Sequence, residues 1–274
     1  MRIALVSSLV LTAACASAPK AGPVHDPVAE VERMFPSAES LDSSAVEVTI
    51  IVTNPTDTAL TVSGIEYTMD TKDVAAVLKG TAESSASVAA GQKVELRFKQ
   101  SIPFPTEVEK YKEILQRQTI PVELAGKVKL SNGKALDFER NGEVATPSLP
   151  KFVVNDAQAA RYADEGVDVT IFFRLVNDNP FGVLVQSCEY TVFVNDVEAR
   201  SETAAVGTRL LPSAGEEYEF SRQIGGKDEK FGTAMSKKIL AEGKMTYRVE
   251  GKIDLAKVSI PFSHEGVIEI ATGE

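Results

Sequence analysis

The 274-residue chain has no tryptophan, only two cysteines (Cys15 and Cys188) and only two histidines (His25 and His264). Each scarcity removes a class of function. A ligand cage built on tryptophan is excluded. Zinc sites need paired Cys and His ligands, which so few residues cannot supply. Nucleophilic catalysis normally needs a positioned histidine base. The one candidate is His264 in Phe262-Ser-His-Glu-Gly266. Its neighbours Ser263 and Glu265 would point to the opposite face of a strand, so the three cannot converge as a triad. Positive charge is also short: 29 Lys and Arg against 39 Asp and Glu give a net charge of −10. Phosphate recognition is driven by clustered cations, so nucleic acid is not an expected partner.

Other site patterns are incomplete. Asn177-Asp178-Asn179 is rich in side-chain oxygens but lacks the calcium-loop spacing, and such residues before proline are ordinary turn formers. Gly225-Gly226-Lys227 lacks the preceding glycine and the hydroxyl residue of a phosphate loop. Glu216, Glu217 and Glu219 read as a solvated strand edge, since alternation places Tyr218 and Phe220 on the other face. The chain is therefore expected to use no metal and no cofactor, and to be no enzyme.

What is present begins at the N-terminus. Met1-Arg2 is a positive start, and Ile3 to Leu11 is a short apolar run. At roughly ten residues it is too short for a mature span, which needs about 20. Leu11-Thr-Ala-Ala-Cys15 follows and resembles the bacterial lipobox, in which a cysteine after small residues receives diacylglycerol. The reading is a lipoprotein signal over residues 1–14, lipidation at Cys15, and a flexible Pro, Gly and Ala tether over 15–26. A membrane anchored through Cys15 is thus one expected partner. Ala16 and Ser17 after the cysteine resemble outer-membrane sorting. Cleavage removes Arg2 and leaves Cys188 as the sole free thiol, expected as a buried inert strand residue.

The rest of the chain repeats itself. Val46-Glu-Val-Thr-Ile-Ile-Val-Thr-Asn-Pro55 returns as Val167-Asp-Val-Thr-Ile-Phe-Phe-Arg-Leu-Val-Asn-Asp-Asn-Pro180, and Ile65-Glu-Tyr67 as Cys188-Glu-Tyr190. The separation is 125 residues at Asn-Pro (55 to 180) and 123 at Glu-Tyr (67 to 190), the size of one compact domain. Two modules are expected, residues 27–146 and 147–274.

Two-residue alternation predicts strands from Val46 to Thr53, Leu60 to Met69, Val74 to Ala82 and Lys93 to Gln100. Thr106-Glu-Val-Glu109 has capping-box form and opens a helix whose face is Val108, Tyr111, Ile114 and Leu115. Strands Val122 to Leu130 and Ala135 to Glu139 follow, joined by a tight Asn132-Gly133 hairpin with both residues at positive φ. The second module repeats the order: Val167 to Val176, Val183 to Val194, Val197 to Gly207 and Glu217 to Ile224, then a helix from about Asp228 to Glu242. Phe231, Met235 and Ile239 form its face, and Gly243 ends it. Met245 to Asp254 and Ser259 to Ile270 close the module, with Lys151 to Val154 as an added edge strand. This order predicts a mainly β protein: two tandem fibronectin- or immunoglobulin-like antiparallel β-sandwiches, each with one flanking α-helix.

The duplicated Asn-Pro and Glu-Tyr strands, the late helix, Tyr247-Arg-Val-Glu-Gly251 and Ile260-Pro-Phe262 resemble the late-embryogenesis-abundant type 2 family, also called the water-stress and hypersensitive-response domain. The resemblance implies a stress or desiccation role without enzymatic activity, and it carries no catalytic residues. Binding or protection of an envelope protein or lipid is the expected function. Candidate recognition tips are Asn54-Pro55 and Asn179-Pro180, at equivalent strand ends. The alternative is a carrier of lipid or another hydrophobic ligand, using a helix–sheet cleft lined by Val108, Tyr111 and Leu115.

Overall fold

A computed structural model of the protein describes residues 26–72, 76–162, 166–225 and 230–271. Cys15, the tether up to His25, Val74 and Asp228 lie outside the described residues.

The N-terminal half contains β1 (Val28–Ser40), β2 (Ser43–Thr53), β3 (Leu60–Thr71), β4 (Ala76–Ala82), β5 (Ala86–Val88), β6 (Lys93–Pro103), α1 (Val108–Leu115), β7 (Thr119–Leu130) and β8 (Ala135–Ala145). The C-terminal half contains β9 (Lys151–Tyr162), β10 (Gly166–Asn177), β11 (Val183–Val185), β12 (Ser187–Val194), β13 (Val197–Ala204), β14 (Thr208–Leu210), β15 (Ala214–Gly225), α2 (Gly232–Glu242), β16 (Lys244–Asp254) and β17 (Ser259–Ala271). The protein is mainly β, and among the described residues all ladders are antiparallel except one. Among the described residues no helix is long and apolar enough to cross a membrane.

Pairing order repeats between the halves. β1-β2-β6 is matched by β9-β10-β15, and β4-β3-β7-β8 by β13-β12-β16-β17. The short β3–β5 pairing is matched by β11–β14. The halves differ at one seam. β17 pairs in parallel with β9 at Ile270–Ala159 and Ala271–Ala160, which merges the C-terminal strands into one seven-stranded, nearly closed sheet. In the N-terminal half β1 and β8 run side by side without a ladder. Arg140 of β8 closes that seam instead, its Nη1 donating to the carbonyls of Val31 (2.6 Å) and Glu32 (2.9 Å).

Local chemistry explains the elements. In β2, Val46, Val48, Ile50 and Val52 are fully buried while Glu47 is exposed, the alternation of a strand with one face in a core. β1 escapes that test because its register shifts between Val31 and Arg33, moving the inward face after only Ala29 and Val31. Pro36 is tolerated within it because β1 is hydrogen-bonded along one edge only. β9 is longer than the four residues expected and is no edge strand: it lies between β10 and β17.

One turn departs from expectation. Only Gly133 has positive φ in the β7–β8 loop; its amide bonds the Leu130 carbonyl, and Leu130 N–H bonds Lys134. That is a three-residue loop with glycine at the left-handed position, not a two-residue turn. The two-residue turn is Asn195-Asp196, where both φ values are positive (45° and 64°) and Val194 faces Val197.

Three apolar clusters form. One lies within the N-terminal half, from Ala29 to Val144. A second lies within the C-terminal half, from Ala159 to Ile268, and includes Phe231 and Ile239 of the α2 region. The third draws on both: Phe104, Tyr111, Ile114, Leu115 and Ile120 meet Leu175, Val183, Val185, Leu210 and Leu255.

Candidate functional site

Asn54 follows β2 with its side chain fully buried. Nδ2 donates to the carbonyls of Thr58 (2.8 Å), Val88 (3.0 Å) and Ala89 (3.1 Å). Oδ1 accepts from Thr56 N–H (3.2 Å) and Thr56 Oγ1 (2.6 Å). The C-terminal half builds the same lock around Asn177, not Asn179. Asn177 Nδ2 donates to the carbonyls of Phe181 (2.7 Å) and Leu211 (3.0 Å), and its Oδ1 accepts from Asn179 N–H (3.1 Å) and Nδ2 (2.8 Å). In each copy the acceptor serves residue i+2 and the donor reaches i+4. The separation of 125 residues at Asn-Pro is therefore corrected to 123, Asn54 to Asn177, the same offset as Tyr67 to Tyr190. The recurring Asn-Pro pair misleads because the amide closes the loop, whereas the proline only follows it.

Asn179 does something else. Its Nδ2 donates to Ser148 O (2.7 Å) and its Oδ1 accepts from Ser148 N–H (2.8 Å), fastening the segment that joins the halves. Both candidate asparagines are buried with their amides occupied, and of the candidate pairs only Pro55 and Pro180 are exposed.

The helix–sheet cleft is filled. α1 begins after Glu107 with no side-chain cap, so the capping box from Thr106 does not form; Glu109 pairs with Lys112 at 3.3 Å instead. Tyr111, Ile114 and Leu115 are buried in the shared third cluster, while Val108 is 47% exposed. Tyr111 also donates to Leu41 O at 3.1 Å, and Lys257 Nζ lies 5.2 Å from its ring centre while pairing with Asp42 at 2.8 Å. An open groove of about 600 Å³ remains beside the helix end, where Leu115, Arg117, Leu149, Phe152 and Phe262 meet.

The titratable groups offer little chemistry. Cys188 is buried in the same cluster, and burial, followed by the charges of Asp254 and Glu189, pushes its thiol up to about 12. His264 lies 3.1 Å from the Tyr247 hydroxyl. Ser263 and Glu265 flank it along β17. Among the described residues no three His, Cys, Asp or Glu side chains gather as metal ligands.

A matched pair of depressions lies on the outer sheet faces, and sequence reasoning passed over it. One, of about 480 Å³, lies over β4-β3-β7 and is lined by Glu66, Thr68, Thr81, Gly126 and Lys127. The other, of about 580 Å³, lies over β13-β12-β16 and is lined by Glu189, Thr191, Thr203, Gly251 and Lys252. Glycine is required behind both, on the core side of the sheet. A Cβ on Gly126 would collide with the Glu66 carbonyl and the Phe138 ring, and one on Gly251 with the Glu189 carbonyl and the Phe262 ring. The repeated Glu-Tyr dipeptide was the available signal: its tyrosine enters the core and its glutamate faces the depression.

No family model matches the chain, and no curated protein matches it. Solved structures give distant likenesses. Red sea bream transglutaminase is 12% identical with a TM-score of 0.31, over 88% of this chain and 31% of that one. A protein from Archaeoglobus fulgidus is 14% identical at 0.25, over 45% of this chain and 97% of that one. A chaperone–tip adhesin complex of CFA/I fimbriae is 8% identical at 0.23, over 89% and 99%. The chain spans about a third of the transglutaminase, and likenesses this weak carry no functional argument.

Proposed function

We propose that the protein is a non-enzymatic, lipid-anchored envelope protein that binds or protects an envelope partner. On this reading it is built from two tandem fibronectin- or immunoglobulin-like sandwiches of the late-embryogenesis-abundant type 2 kind, anchored at Cys15 in the outer membrane. The observation that carries the reading is the duplicated pairing order, with the same asparagine lock recurring at a constant offset of 123 residues. Leu11-Thr-Ala-Ala-Cys15 supports the anchor. Two linked modules gain effective concentration on an extended partner, while an acidic body stays clear of anionic headgroups.

Metabolic labelling with a palmitate analogue, with membrane fractionation, tests the anchor. Label and membrane association should both vanish in Cys15→Ser. An unlabelled wild type would refute anchoring. Survival of a deletion strain through drying, with and without the restored gene, tests the stress role; equal survival would refute it.

A second reading, a hydrophobic-ligand carrier, is favoured by the open groove at the end of α1, whose apolar part is Leu115, Leu149, Phe152 and Phe262, rather than by the filled cleft. Native mass spectrometry of the purified chain should then show co-purified lipid, and Phe152→Arg should remove it.

A further inference from the structure

The two halves share one outward surface residue for residue. The registers align β3 with β12, β7 with β16, β4 with β13 and β8 with β17. Most outward positions on these strands have diverged without regard for charge or size: Asp70 against Phe193, Lys79 against Ser201, Glu123 against Arg248, Lys129 against Asp254, Asp137 against Pro261 and Glu143 against Val267. Glu66, Thr68, Thr81 and Lys127 instead recur unchanged as Glu189, Thr191, Thr203 and Lys252. These four adjoin one another. Thr81, Glu66 and Lys127 stand opposite each other across three neighbouring strands, as do Thr203, Glu189 and Lys252. Thr68 and Thr191 sit two residues further along β3 and β12. The rows lie in the matched depressions on the outer sheet faces.

Stability does not require this match. The Gly–Phe and core tyrosine contacts have a packing reason, but the exposed quartet does not. Lys252 pairs with Glu189 at 3.2 Å, whereas Glu66 pairs with Lys129, so even the ion pairs differ between the halves. Exposed pairs of this kind contribute about 1 kcal/mol or less.

We propose that the two rows are a duplicated binding site for a glycan strand. Hydroxyl, carboxylate and ammonium groups follow one another at the interstrand spacing of about 4.8 Å, close to the length of one pyranose residue. Each row offers both donors and acceptors, as sugar hydroxyls need, and the shared set has no net charge to demand an ionic ligand. The sites are shallow and hold no exposed aromatic ring, so each is weak alone. Two sites on one chain suit a repeating polymer through effective concentration. The inference rests on the binding-protein reading but not on lipidation, so anchoring can fail while this site stands.

The test is co-sedimentation of the full chain with purified peptidoglycan sacculi and, separately, retention on immobilised lipopolysaccharide O-chains, which distinguishes two envelope sources of glycan. The pair Glu66→Ala and Lys127→Ala should weaken apparent affinity at least tenfold, as should Glu189→Ala with Lys252→Ala; all four together should abolish binding. Thermal melts establish that the variants fold, and Thr81→Val with Thr203→Val gives an uncharged second set. Wild-type binding to neither glycan, or binding unchanged by the folded variants, overturns the proposal.

Discussion

Replacing the Asn54 amide by a carboxylate is the sharpest test of the loop lock. In Asn54→Asp, an oxygen replaces Nδ2 at 2.8, 3.0 and 3.1 Å from three carbonyl oxygens. The two amide hydrogens account for two net hydrogen bonds, about 1–3 kcal/mol together. The carbonyls left unsatisfied and the buried, unpaired charge raise the expected loss to roughly 3–5 kcal/mol at pH 7. Asn54→Ala, which introduces no charge, should lose about 2–3 kcal/mol. The new carboxyl should titrate above its unfolded value of about 3.9, since burial and facing carbonyls oppose ionisation. Protonation in the folded state therefore relieves the penalty: the deficit is smallest below pH ~3.9 and grows as pH rises through the folded pKa. Urea denaturation followed by circular dichroism, at pH 7 and pH 3.5, reads both effects. The same loss is expected for Asn177→Asp, and Asn179→Asp should also destabilise, because its Nδ2 donates both to Ser148 O and to Asn177 Oδ1. A loss under about 1 kcal/mol in Asn54→Asp, or a silent Asn177→Asp beside a damaging Asn179→Asp, would refute the lock and the 123-residue correspondence.

Other consequences are as concrete. Gly251→Ala should destabilise the protein by about 2 kcal/mol or more through backbone collision, whereas Gly91→Ala, in open space at φ 69°, should cost only about 1 kcal/mol; chemical denaturation separates them. Tyr111→Ala should cost about 3–5 kcal/mol and split one unfolding transition into two, because it empties the cluster shared by both halves; calorimetry would show it, and a single unshifted peak would count against the shared cluster. Burial raises Cys188 and Tyr111 to about 12 each. Their contribution to stability is whole below the ordinary thiol and phenol pKa values and is lost as pH rises toward 12. Stability should accordingly fall above pH ~9, and Cys188 should resist a thiol reagent at pH 8 until denaturant is added.

The strand content was largely legible because period-two alternation in β2, β3, β7 and β10 follows directly from one face being buried. α2 was legible at its end, where Gly243 adopts φ 66° and its N–H bonds the Ile239 carbonyl. β1 was not, because its bulge changes the inward face midway and leaves too few alternating residues to read. The tip asparagines were legible as residues, but their hydrogen-bond partners were not. Their chemistry depends on carbonyls 34 or 35 residues away at Val88 and Ala89, which local sequence does not locate.

Sequence alone determined that the chain is a duplicated β protein, because alternation and repetition are properties of the residue order itself. Only the tertiary structure decided that Asn177 rather than Asn179 answers Asn54, and that α1 buries its apolar face between the halves rather than over a ligand cleft. It also decided that Thr, Glu and Lys from three strands line up in one row. Each of these depends on which distant strands become neighbours, and that is fixed by packing across the whole chain, not by any local period.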